Sequence, residues 1–154
     1  DMPGMRVDTL LRMDCVCVLP QGHPLADRAE IDVAALDGEA FVSFPLGSGP
    51  RERIDRGLVG AGVRPRTVLE SDLGASVCSL VAAGLGMSVV NPRAALEEQR
   101  HLALEVRPLR PAITVRLAIL LPPDAPDSRL VAAFRQRVCQ AIASELEHIR
   151  PYRH

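Results

Sequence analysis

Ser48, His23 and Asp72 are the side chains that could supply a nucleophile, a base and an orienting acid for acyl transfer. The flanks of Ser48 argue against that use. Glycines 47 and 49 stand directly beside it, whereas a nucleophile elbow places them two residues away, as Gly-x-Ser-x-Gly, on a strained strand-to-helix turn. His23, in Gly-His-Pro, reads as a surface turn residue, and His101, His148 and His154 have no partner pattern. Cys15 and Cys17 share one face of an apolar run, but no second Cys or His pair follows at ligand spacing. Together with Cys78 and Cys139 they read as small core residues, and no metal site is expected. Gly84-Leu85-Gly86 leaves a helix and enters a strand, the reverse of a dinucleotide fingerprint, so capping and close packing account for it.

The chain has no lysine; all 18 basic residues are arginine. This excludes Schiff-base and pyridoxal-phosphate chemistry and the phosphate-loop lysine. No cofactor is expected. A net charge of -1 and 3% aromatic residues leave neither the positive field nor the stacking platforms for direct nucleic-acid binding. Arg51, Arg53 and Arg56 alternate with Glu52 and Asp55, which predicts a solvated helix face with pairs such as Arg51 with Asp55. No apolar run reaches the length of a membrane span and no secretory signal is visible, so a soluble cytoplasmic protein is expected.

These residues need elements to position them. Residues 1–13 read as a weakly ordered lead-in. Strands are predicted over 15–19, 40–44, 67–70, 87–90, 102–106 and 113–121, with Pro108 and Pro111 interrupting between the last two. Asp32 can cap a short helix through Leu36. Ser48 or Gly49 caps a helix with Pro50 in its first turn and Gly62 at its end. Ser71 or Asp72 caps the next, and a short helix spans 93–98. Asp127 or Ser128 starts a final helix with Leu130, Phe134, Val138, Ile142, Leu146 and Ile149 along one face. Strands alternating with helices predict an α/β fold with a mainly parallel sheet. In such sheets ligands sit beyond the carboxyl ends of strands. Loops 43–49 and 71–74 hold that position and lead into helix N-termini, with Asp72 as their one acidic residue. They suit binding of a small polar molecule rather than catalysis.

Three stretches carry a resemblance: the turn Leu19-Pro-Gln-Gly-His-Pro-Leu-Ala26, the run Leu80-Val-Ala-Ala-Gly-Leu-Gly-Met-Ser-Val-Val-Asn-Pro92, and a closing strand followed by a helix bearing Phe134. In order and spacing, residues 12–143 resemble the effector-binding region of LysR-type transcriptional regulators, in look closest to the octopine, nopaline and amino-acid-sensing members. The resemblance implies a periplasmic-binding-protein-like fold of two α/β lobes with the effector in the cleft. On that plan residues 1–19 are a lead-in and first crossing strand, 20–112 the second lobe, and 113–154 the second crossing strand and last helix of an incomplete first lobe. It implies ligand contacts at Ser43, Phe44, Ser48, Gly49 and Asp72, with Asn91 nearby. It further implies a non-enzymatic regulatory domain that reaches DNA only through an N-terminal domain absent from this chain. Apolar surface on the incomplete first lobe predicts a homo-oligomer. The alternative is a solute-binding protein of a transport system with a similar fold; hydrolysis through Ser48 ranks last.

Overall fold

The structure is a computed structural model and describes residues 4–124 and 128–145. Strand β1 spans Arg6–Asp14 and β2 Val16–Pro20. A 3-10 turn over Pro24–Asp27 is capped by His23, whose Nδ1 accepts the Leu25 N–H at 3.2 Å. Strand β3 is Ile31–Asp32, and Asp32 caps a second 3-10 turn, Val33–Leu36, by accepting the Ala34 N–H at 2.9 Å. Then follow β4 (Ala40–Ser43), helix α1 (Gly49–Gly60), β5 (Arg66–Glu70), α2 (Gly74–Ala82), β6 (Ser88–Val90) and α3 (Pro92–Glu98). The chain closes with β7 (Leu104–Arg110), β8 (Thr114–Leu121) and α4 (Arg129–Glu145).

Strands β3, β7, β2 and β6 form one sheet, and β4 pairs with β5. The two are joined at Met87. Its carbonyl accepts the Val42 N–H and its own N–H donates to the Ala40 carbonyl, both at 2.9 Å. Ser88, fully buried, adds a hydroxyl bond of 2.6 Å to the Val42 carbonyl. The resulting strand order is β3-β7-β2-β6-β4-β5. Gly86 makes this approach possible, because its backbone φ of 147° suits glycine and a Cβ there would strike the Ala40 carbonyl oxygen. Val16, Val18, Leu19, Val42, Val77, Val81, Val89 and Val90 fill the core on and around this sheet. Burial raises the pKa of Cys15 and Cys17 to about 12, so both thiols stay protonated and inert at neutral pH.

Four expectations are corrected. Residues 6–13 are strand, not a loose lead-in: β1 pairs antiparallel with β8 from Arg6↔Leu121 to Asp14↔Thr114. Leu11 and Met13, separated by the exposed Arg12, alternate as in a half-buried strand and go inside, while an irregularity between Thr9 and Leu11 breaks the pattern before them. Second, the sheets are mixed. The pairs β3/β7 and β4/β5 are parallel, while β2 runs antiparallel to both β6 and β7. Third, β7 runs through Pro108, which lies opposite Val16. A proline fits a strand where its missing N–H faces away from the ladder, and β3 pairs with β7 only from Leu109 onward. The apolar stripe of α4 is only partly buried, in line with the apolar surface expected on the incomplete first lobe. Ser128 caps it, accepting the Val131 N–H at 3.1 Å, but Leu130 and Phe134 are 79% and 58% exposed. Only Ile142 reaches the small cluster of Leu11 and Met13. Leu146 and Ile149 lie outside the described residues. Fourth, Cys139 is an exposed cysteine rather than a core one. Among the described residues, no helix is long and apolar enough to cross a membrane.

Candidate functional site

Three parallel strands, β4, β5 and β6, end at the same rim, and each hands the chain to a loop that starts a helix. Above that rim lies a cavity of about 660 Å³. The loop after β4 contributes Phe44, Gly49 and Pro50; the loop after β5 contributes Asp72 and Gly74; the loop after β6 contributes Asn91 and Arg93. The opposite wall comes from the β1/β8 ribbon, through Val7, Met13, Val115, Arg116, Leu117 and Leu120. The cavity is thus a cleft between the six-stranded lobe and a two-stranded wall.

Of the six residues singled out in the sequence, Phe44, Gly49, Asp72 and Asn91 line this cleft; Ser43 and Ser48 do not. Ser43 is buried in β4, where its carbonyl accepts the Ser71 N–H at 3.0 Å and holds two rim loops together. Ser48 is the N-cap of α1, its hydroxyl accepting the Arg51 N–H at 3.3 Å. His23, which caps a 3-10 turn, and Ser48 are both outside the cleft lining that Asp72 joins, so the three are not assembled as a triad. Asn91 Oδ1 caps α3 through the Ala94 N–H at 2.9 Å.

Asp72 differs from its expected use. The N-cap of α2 is Leu73, with no side-chain cap, so the Asp72 carboxylate is not consumed by the helix start. Among the described residues it has no hydrogen-bond or ion-pair partner, although it lines the cleft.

The arginines of α1 differ more. A solvated face was expected, yet the Arg51 side chain is only 14% exposed. Its Nε donates to Asp55 Oδ2 at 2.6 Å, and its Nη1 donates to Glu70 Oε1 and to the Phe44 carbonyl, both at 2.8 Å. Burial opposes the charge, but the bonds to Asp55 and then Glu70 outweigh it and hold the Arg51 pKa above its ordinary value. Arg51 therefore fastens the Phe44 loop and the end of β5 to α1, acting as a positioning residue for the rim. Two residues on, Arg53 lines the cleft itself. Its charge reaches the Cys15 thiol at the back of the cleft, where it opposes the larger effects of burial and Asp14. Arg93 and Arg116 also line the cleft and make interactions within the chain. Three arginines against one aspartate make the cleft electropositive, which favours an anionic group in the ligand.

Sequence reasoning missed the three arginines. Arg53 had a signal, since it lies one turn after Gly49 and Pro50 on a helix already assigned to the rim. Arg116 had none, because its place depends on β8 folding across to face the other lobe. Among the described residues no group of His, Cys, Asp or Glu is arranged to hold a metal ion.

The likeness to known proteins agrees with this geometry. Residues 1–143 match the family described as LysR substrate binding domain. The regulatory protein NocR of Agrobacterium tumefaciens is 32% identical over 142 residues, 92% of this chain and 47% of that protein. The transcriptional activator protein LysR of Escherichia coli is 38% identical over 131 residues, 85% of this chain and 42% of that one. The chain thus spans less than half the length of these curated relatives. Two solved structures share the fold: the regulatory domain of Synechocystis CcmR in complex with 2-PG (TM-score 0.80, 21% identity, 92% of this chain and 70% of that one), and the effector binding domain of QuiR in complex with shikimate (TM-score 0.79, 19% identity, 92% and 66%).

Proposed function

Because the chain belongs to the LysR substrate binding domain family, we propose that it is the effector-binding part of a cytoplasmic transcriptional regulator, and that its effector is a small amino-acid- or opine-like molecule. The observation that carries this reading is the convergence of three strand-end loops and the β1/β8 wall on one electropositive cleft. Such a cleft binds without transforming. Its thiol is buried and protonated, and Ser48, at the start of α1, is engaged as a helix cap.

Binding acts on the relation between the two walls. A ligand that touches both the rim loops and β8 stabilises the arrangement in which they are close, by no more than its differential affinity for that arrangement. Transmitted to a DNA-binding portion outside this chain, that shift controls transcription. Leu130 and Phe134 expose apolar surface on α4, away from the cleft lining, which supports a homo-oligomer. No observation favours the transport reading.

Calorimetric titration and thermal-shift measurements against proteinogenic amino acids, octopine and nopaline, with shikimate as an anion lacking an ammonium, test the proposal. At least one of the amino acids or opines is expected to give saturable heat and a rise in Tm. Flat titrations with all of them would refute it.

A further inference from the structure

Two charged side chains in the cleft have no hydrogen-bond or ion-pair partner among the described residues. They are Arg53, half-buried on α1, and Asp72, in the loop after β5, and both line the cavity. Arg51, on the same helix as Arg53, is tied down by contrast and holds three acceptors. The two opposite charges also fail to meet each other, although they come from adjacent rim elements. An unpaired cation and an unpaired anion lining one cleft are complementary to a molecule that carries both charges.

Resting on the effector-binding reading above, we propose that Arg53 receives the carboxylate of the effector and Asp72 its ammonium, so that this pair selects zwitterionic amino acids over anions without an amine. Arg53 is suited to the first role because a guanidinium can grip a carboxylate through two parallel N–H bonds. Asp72 is suited to the second because its carboxylate is left over from helix capping. An anion such as shikimate, which QuiR holds, would satisfy Arg53 and leave Asp72 facing a like charge. The aspartate is thus the element that rejects, and the arginine the element that attracts.

The test uses the whole 154-residue chain and isothermal titration with four probes: L-arginine, L-ornithine, L-glutamate and L-leucine. Each is paired with its α-carboxamide, its N-acetyl form and its α-keto acid, and shikimate is added. Arg53→Gln is expected to weaken the best amino acid by roughly 30-fold while changing its carboxamide by less than roughly threefold. Asp72→Asn is expected to weaken the amino acid comparably and to improve the keto acid relative to it. Arg53→Lys, which keeps the charge and loses the fork, is expected to recover part of the loss and guards against a folding defect in Arg53→Gln. Equal effects of Arg53→Gln on acid and carboxamide overturn the assignment, as does binding of keto acids or shikimate as tightly as amino acids. In that last case the effector-binding reading stands alone; if no probe binds, the zwitterion assignment falls, and the effector-binding reading falls with it only if octopine and nopaline also give flat titrations.

Discussion

The six-stranded lobe and the β1/β8–α4 region are built from similarly apolar segments, yet they use them differently. In the lobe, Val16, Val18, Leu19 and Val89 are fully buried, and helices α1 and α3 begin at side-chain caps. In the other region Leu117, Leu120, Leu130 and Phe134 stay exposed, while the buried cluster consists of Leu11 and Met13. The lobe closes its own core; the ribbon and α4 form a wall that offers its apolar faces to the cleft and to the outside. The cleft therefore joins a rigid half to a half whose position has less holding it. That asymmetry is what a ligand-responsive domain needs, since the binding energy has a movable side to act on.

The largest test of this contrast is in the cores. Leu19→Ala, in the lobe, is expected to cost about 2–5 kcal/mol of unfolding free energy, whereas Phe134→Ala is expected to stay within about 0.5 kcal/mol. Urea titrations of both variants check it, and equal costs would erase the distinction.

The buried thiols give the next effect. The Cys15 and Cys17 pKa values are raised from 9.0 to about 12, chiefly by burial. Their contribution to stability is thus intact below pH 9 and is lost between there and pH 12, because the unfolded chain sheds protons that the native chain keeps. Each buried thiol costs up to about 1.4 kcal/mol per pH unit in that window. Cys17→Ala is expected to flatten the alkaline fall in stability measured by urea unfolding at successive pH values, and no change of slope would contradict the assignment.

Arg51 gives the third. Arg51→Ala is expected to lower stability by about 1–3 kcal/mol, because it strips a charged donor from Asp55, Glu70 and the Phe44 carbonyl. It is also expected to weaken ligand binding through the displaced Phe44 rim, a readout that a purely structural role elsewhere would not move. The smallest effect belongs to the exposed face: Phe134→Ser is expected to reduce self-association, seen as a lower mass by light scattering, with little change in Tm.

Local chemistry was legible in the sequence wherever a short stretch decided it. Ser48 with Pro50, Asp32, Asn91 with Pro92, and the glycines after α1 and α2 mark element ends by their own side chains or backbone freedom. The loops that hold Phe44, Gly49 and Asp72 were reachable for the same reason, since strand ends and helix starts can be counted along the chain, whereas Asn91 and the individual contacts rested on the family resemblance. What escaped depends on distant partners. Arg6–Asp14 is a strand because β8, more than 100 residues on, lies beside it. Pro108 is tolerated because β3 is too short to need its N–H. Arg53 and Arg116 enter the site only once the two walls face each other. Ser71 or Asp72 was expected to cap α2, and Asp72 also to meet the ligand; the chain starts α2 at Leu73 without a side-chain cap and leaves the Asp72 carboxylate to the cleft.

The central claim is that the three rim loops and β8 act as one binding surface. Amide chemical shifts of the isotopically labelled chain, followed while the tightest-binding amino acid is titrated in, test it most directly. The account predicts that Gly49, Asp72, Gly74, Asn91 and Leu117 shift together along one saturation curve, with Leu130 and Phe134 unmoved. Shifts confined to α4 or to the outer face of the lobe, or rim loops that respond without β8, would contradict it.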